Sequence, residues 1–221
     1  MDVSFALITE GITDQVALEA VLKGHYKRHG DVDVDIRVVQ PLRDATDASQ
    51  QAKDSDGGWE RVFEACSNPQ TASDALRFSD YLIVQVDTDQ GDHVNYGLPL
   101  APGGVDVDEA TLVEQARAMI ATKFGERWPA IQDRVFMAIS VHSLECWLMA
   151  LHVADAPCAT KSCENRLEKH LRKQDQPYEK TYRCYEAVSK GFRKPKELDA
   201  ARKRSVSLDR FVDSLPVVQA E

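Results

Sequence analysis

Residues Val3–Asp14 read VSFALITEGITD, and how this stretch divides decides the fold. Val3 to Thr9 is an apolar run long enough for a buried strand and too short for a helix. Thr13 to His29 follows with Val16, Ala17, Ala20, Val21 and His25 at helical spacing. That predicts a helix capped by Thr13 or Asp14 and stopped by Gly30. A strand feeding directly into a helix starts a β-α-β series, and the chain repeats the pattern.

Val32, Val34, Ile36 and Val38 alternate with Asp33, Asp35 and Arg37, which predicts a half-buried strand toward a sheet edge. Residues 41–58 are polar and predict a mobile loop. A helix is expected from Trp59, with Val62, Phe63 and Cys66 on one face. Tyr81–Val86 (YLIVQV) is a core-type strand ending in Asp87-Thr88-Asp89, and Gln90–Gly104 reads as a long loop. Ala110–Trp128 is helical in pattern, Val135–Val141 (VFMAISV) is a further strand, and a helix runs on through Leu144, Leu148 and Leu151. The order β-α-β-α-β-α-β-α predicts an α/β fold with a mostly parallel sheet flanked by helices. Beyond Pro157 the pattern is helical and strandless to about Leu215. The expected division is residues 1–155 as a sheet domain and 156–221 as a helical extension packed on or beside it.

The chain has 221 residues, 43% hydrophobic and 29% charged. That suffices for a buried core without a disulfide or metal staple. No stretch approaches the roughly 18 apolar residues of a membrane span. The start lacks the basic region and cleavage site of an export signal, so a cytoplasmic protein is expected. Five cysteines (Cys66, Cys146, Cys158, Cys163, Cys184) show no paired zinc spacing, and buried or incidental thiols are expected. The net charge of −9 divides into −14 over residues 1–160, +7 over Lys161–Arg204 and −2 beyond. The basic part reads either as a solvated helical surface or as a phosphate-binding face.

In an open α/β sheet, ligands gather beyond the carboxyl ends of the strands. Glu10 follows the first strand, Asp87 and Asp89 follow the third with Asp92 a turn further on, and His142 and Glu145 follow the fourth. Crowded carboxylates raise each other's pKa unless a cation neutralises them, and magnesium needs only one to three of them. Singly, Glu10 reads as a first-turn helix acid and Asp87-Thr88-Asp89 as a solvated loop. Their co-occurrence on one edge points instead to a metal and phosphate site. Trp59 and Trp147 read as core, His93 as a surface histidine, and His142 as either a buried histidine or a group orienting water or phosphate. No Walker loop, dinucleotide fingerprint or Ser-His-Asp arrangement is present.

Glu10-Gly11-x-Thr13-Asp14 after one apolar strand and Asp87-Thr88-Asp89 after another resemble the Toprim domain shared by topoisomerases, primases and OLD-type nucleases. The resemblance covers roughly residues 3–150. It extends to small stand-alone Toprim-like proteins of bacterial genomes, some linked to phage defence, with Glu145-Cys146-Trp147-Leu148-Met149-Ala150 matching their helix start. It implies a nuclease dependent on Mg²⁺ or Mn²⁺, hydrolysing DNA or RNA. Glu10, Asp87, Asp89 and Glu145 would be catalytic, and Glu10, Asp87, Asp89 and Asp92 would hold metal.

In the basic part, Tyr178, Lys180, Tyr182, Arg183 and Tyr185 interleave aromatics with bases, and Lys190, Arg193, Lys194 and Lys196 cluster behind them. Lys180, Arg183, Lys190, Arg193, Lys194 and Lys196 are the expected nucleic-acid contacts, against a reading in which the tyrosines pack inward and the lysines are solvated. Lys180 or Lys190 would reach the metal site. The alternative is a non-catalytic regulatory or partner-binding subunit beside an ATPase in a defence complex. A homo-oligomer is a further partner expectation, and a membrane is not one. A phosphoryl-transfer enzyme on a small phosphorylated ligand uses the same acids.

Overall fold

The computed structural model describes residues 2–30, 32–43, 57–154 and 160–218. Most of the polar stretch before Trp59, Cys158 and the expected domain boundary near residue 155 fall outside the described residues. The chain is an α/β protein. Strand β1 (Asp2–Ile8) leads into helix α1 (Ile12–Tyr26), then β2 (Asp33–Gln40), α2 (Trp59–Ser67), α3 (Pro69–Phe78) and β3 (Tyr81–Asp87). Helices α4 (Glu109–Phe124) and α5 (Trp128–Ile131), β4 (Val135–Ser140) and α6 (Glu145–His152) complete the sheet layer. Helices α7 (Cys163–Arg172), α8 (Tyr182–Ser189), α9 (Pro195–Arg202) and α10 (Val206–Ser214) follow, without a further strand among the described residues.

The four strands lie in the order β2-β1-β3-β4, all parallel. β2 is an edge, as its alternating polarity predicts, and its burial alternates in step. The inner strands β1 and β3 are buried on both faces, which is why they read as unbroken apolar runs. Alternation divides the core in two. Phe5, Leu7, Ile83 and Ala138 face α1 and helices α6–α10, whereas Ala6, Ile8, Val84 and Met137 face α2, α3 and α4. The C-terminal helices therefore share a core with the sheet: Leu167, Tyr185, Phe192 and Leu208 are buried in the same cluster as Phe5 and Trp147. Among the described residues, no helix is long and apolar enough to cross a membrane.

Two expectations need correction. Neither Thr13 nor Asp14 caps α1 in the usual way; Gly11 is the N-cap, with no side-chain cap bond. Among the described residues, the segment between β2 and β3 also holds two helices, since the Asn68 side chain accepts the Gln70 N–H and Pro69 opens a new helix at its first position. The cysteines differ as well. Cys146 and Cys163 form a disulfide between the first turns of α6 and α7, with Cα atoms 5.0 Å apart, while Cys66 and Cys184 are free.

A candidate acidic site at the carboxyl edge

In the order β2-β1-β3-β4, the chain leaves β1 toward one side of the sheet and later returns to build outward on the other. The carboxyl ends of β1 and β3 flank this topological switch point, where loops diverge and leave a crevice. Glu10 exits one of these strands and Asp87 ends the other.

The two strand exits are joined through side chains. The Asp87 N–H donates to Glu10 Oε1 at 2.7 Å, and the Glu10 N–H donates to Gln85 Oε1 at 3.1 Å. Gln85 Nε2 in turn donates to Asp87 Oδ1 at 2.9 Å, so one fully buried amide fixes both acids. Backbone approaches Glu10 closely from the other side: the Gly58 N–H donates to its carbonyl at 2.7 Å, and a Cβ on Gly57 would lie 2.3 Å from that oxygen. Tyr96 is buried and donates its hydroxyl to the Asp87 carbonyl at 2.7 Å. The turn after β4 holds the loop of Asp89. His142, at φ 63°, accepts the Asp89 N–H at 2.9 Å, and its own N–H donates to Thr88 Oγ1 at 2.8 Å.

The carboxyl groups interact strongly. Burial pushes Glu10 up to about 8; the Asp87 N–H opposes this, and Asp14 and Asp89 reinforce it. Burial and the charge of Glu145 push Asp14 up to about 7, against the Gly11 N–H and Lys180. Asp87 is held well above the carboxylate range by burial, then by Asp14, Glu10, Glu145 and Asp89. Asp89 is also raised, chiefly by burial. Five acids thus share one field, and Asp14, read from sequence as a helix cap and as part of the motif after β1, was not among the expected site residues. Its position in the first turn of α1, directly after the strand exit that carries Glu10, was the available signal.

Glu145 is 5% exposed and is held from the C-terminal helices. The Tyr185 hydroxyl donates to Glu145 Oε1 and is paired with the Tyr178 hydroxyl at 2.9 Å. Lys180 Nζ lies 3.9 Å from Glu145 Oε1 and 3.0 Å from Glu164 Oε2. Burial alone would lower the Lys180 pKa, but Glu145 and Glu164 more than offset it and the net direction is upward. Between the two lysines that sequence left open, Lys180 is the one beside the acids.

The chain matches no family model, no curated protein and no solved structure.

Other expected residues lie elsewhere. Asp92 is exposed and accepts the Leu100 N–H at 2.9 Å, which ties down its own loop. Arg193 pairs with Glu186 at 3.8 Å and Lys194 with Glu197 at 2.7 Å, while Arg183, Lys190 and Lys196 are exposed. Among the described residues, the buried Nδ1 of His142 has no partner, and the His142 pKa is lowered by burial and by Lys161. His93 is exposed and rests against half-buried Trp59, with ring centroids 5.3 Å apart. An open cavity of about 400 Å³ lined by Gln40, Leu42, Arg61 and Glu64 holds none of the five acids.

The oxygen-only donor set of Glu10, Asp14, Asp87, Asp89 and Glu145 has the chemistry a hard divalent cation requires. Among the described residues, however, no group of three or more acids, histidines or cysteines is arranged as a set of metal ligands. The acids lie within mutual electrostatic reach without being drawn around a single point.

Proposed function

We propose that this protein is a Toprim-like nuclease that hydrolyses phosphodiester bonds of DNA or RNA with Mg²⁺ or Mn²⁺. The observation that carries the reading is Glu10 bonded to the Asp87 backbone at the β1/β3 switch point, within a field of four further carboxyls. Left alone, such a cluster suits no structural purpose, because each buried charge raises the cost of the others. A divalent cation there would neutralise that charge, polarise a phosphoryl oxygen and make a bound water more acidic.

The chain's own groups take distinct parts. Asp87, Asp89 and Asp14 would hold the cation, with Gln85 orienting Asp87. Glu10, with one oxygen engaged by the Asp87 N–H, keeps its other oxygen to accept a proton from the attacking water. Lys180 would offset charge developing on the phosphoryl group, and Tyr185 orients Glu145. The exposed Arg183, Lys190 and Lys196 contribute to nucleic-acid attraction.

The test is cleavage of single-stranded and duplex DNA and RNA by purified protein with Mg²⁺ or Mn²⁺, beside Glu10→Gln and Asp87→Asn. Metal-dependent cutting lost in both folded variants is the expected result. Cutting that survives in both, or wild-type protein that cuts nothing, defeats the reading.

One observation favours a second reading: the acids are not drawn into a ligand set. On that basis the same edge would be a non-catalytic docking face, with an ATPase subunit or a second copy of the chain as partner. Calorimetric titration separates the two, since absence of Mg²⁺ or Mn²⁺ binding at millimolar concentration selects the docking face.

A further inference from the structure

The loop leaving β2 brings Arg43 to the same edge of the sheet. Its Nε donates to Gln15 Oε1 at 2.7 Å, and Gln15 is wholly buried, with its Nε2 donating to the Pro41 carbonyl at 2.8 Å. Nη1 lies 3.6 Å from Glu19 Oε2, while the other Glu19 oxygen takes Lys23 at 2.7 Å. The guanidinium carbon stands 5.6 Å from the centroid of the Tyr182 ring. Three contacts therefore fix the plane of the guanidinium. Among the described residues, its Nη2 is nonetheless buried and has no hydrogen-bond partner.

A guanidinium nitrogen buried without an acceptor is costly; the Arg43 side chain as a whole is 27% exposed, so an acceptor from outside would meet the guanidinium at its open side and reach Nη2 with a small shift of the group. The fork geometry of arginine suits a phosphate or carboxylate oxygen. Its surroundings select between these. Gln15 follows Asp14, and Tyr182 lies two residues beyond Lys180, so two of the side chains that hold Arg43 come from the same segments as Asp14 and Lys180.

We propose that Arg43 anchors a backbone phosphate of the nucleic acid, next to the phosphodiester held at the carboxylates. This rests on the nuclease reading above. Arg43 fixes the strand's register and takes no part in bond cleavage. It supplies the phosphate contact that the loop after Asp89 lacks.

The experiment uses the full chain with Arg43→Gln and Arg43→Lys. Binding of a fluorescein-labelled single-stranded oligonucleotide is followed by anisotropy in Ca²⁺ as salt is raised. Arg43→Gln is expected to bind about tenfold more weakly, with its log-affinity against log-salt slope reduced by about 0.7. In cleavage with Mn²⁺ the loss should fall in KM rather than kcat, with Mn²⁺ affinity unchanged. Arg43→Lys should recover the salt slope but only part of the affinity, because the fork is gone. Wild-type affinity and slope in Arg43→Gln, while Asp87→Asn still abolishes cutting, would overturn the anchor alone. So would weaker binding with an unchanged slope and a lowered melting temperature, the signature of a packing role or of a nitrogen served by water. Wild-type protein that neither binds nor cuts any oligonucleotide overturns the nuclease reading and the anchor together.

Discussion

Glu10 has one carboxylate oxygen committed to the Asp87 N–H, and the group lies in the field of Asp14 and Asp89. Glutamine at this position keeps an oxygen to accept that N–H and loses only the charge. Glu10→Gln is therefore expected to fold normally and to cut nucleic acid about 10²–10⁴-fold more slowly, the range for loss of a proton-transfer group. A rate within twofold of wild type would place the proton acceptor elsewhere. Tyr185 offers a contrasting case in which stability is the readout. It is 1% exposed and donates to Glu145, itself buried. Phenylalanine there leaves a buried carboxyl without its donor, which should cost about 1–3 kcal/mol. The urea midpoint should fall with the slope of the transition unchanged. Tyr178→Phe, on a half-buried ring one bond further out, should cost less. Equal losses in the two variants would mean that the buried carboxyl is not what Tyr185 serves.

Among the elements, those with a strong local period were legible from the sequence. β1, β3 and β4 were apolar runs and β2 alternated because each period reflects burial on two faces or one. The acids at three strand exits were legible for the same reason, since locating a strand also locates its carboxyl end. What was missed depends on tertiary approach. Helix α3 hides behind weak apolar content and shows itself only through Asn68-Pro69. Arg127 and Arg134 carry no local signal of their role: Arg127 donates to the Cys66, Ser67 and Asn68 carbonyls, and Arg134 to those of Leu76, Ser79 and Asp80. They close the ends of α2 and α3 from a distant part of the chain. The same holds for the Cys146–Cys163 bond, which no spacing rule identifies because it needs α6 and α7 already packed. With a sequence separation of 17, its loss should cost about 3 kcal/mol. Alkylation of native, unreduced protein should leave both cysteines unmodified, and Cys146→Ala with Cys163→Ala should melt several degrees lower. Labelling of both cysteines before reduction would show that the bond is not formed.

Across the whole molecule, the acidic cluster sets how stability depends on pH. Glu10 rises from 4.5 to about 8 and Asp14 from 3.8 to about 7, so the folded chain holds protons that the unfolded chain has released. Stability from these groups is complete below about pH 4 and is lost as pH climbs toward 8. Asp80 works in the opposite sense. The Ser4 hydroxyl and N–H hold its carboxyl below 3.8, so its contribution is present above that value and lost on acidification. Metal-free protein should thus be most stable in mildly acidic solution and should melt progressively lower toward pH 8. Because cation binding requires deprotonated carboxyls, Mn²⁺ should reverse the loss where it is largest. At a hundredfold excess over its Kd, the cation adds about 2.7 kcal/mol, on the order of 5–10 °C for a chain of this size. Scanning calorimetry from pH 5 to pH 8, with and without Mn²⁺, checks both halves. A flat metal-free profile would contradict the buried acidic cluster itself. A falling profile that Mn²⁺ does not correct at pH 8 would leave the cluster in place and remove the cation from it.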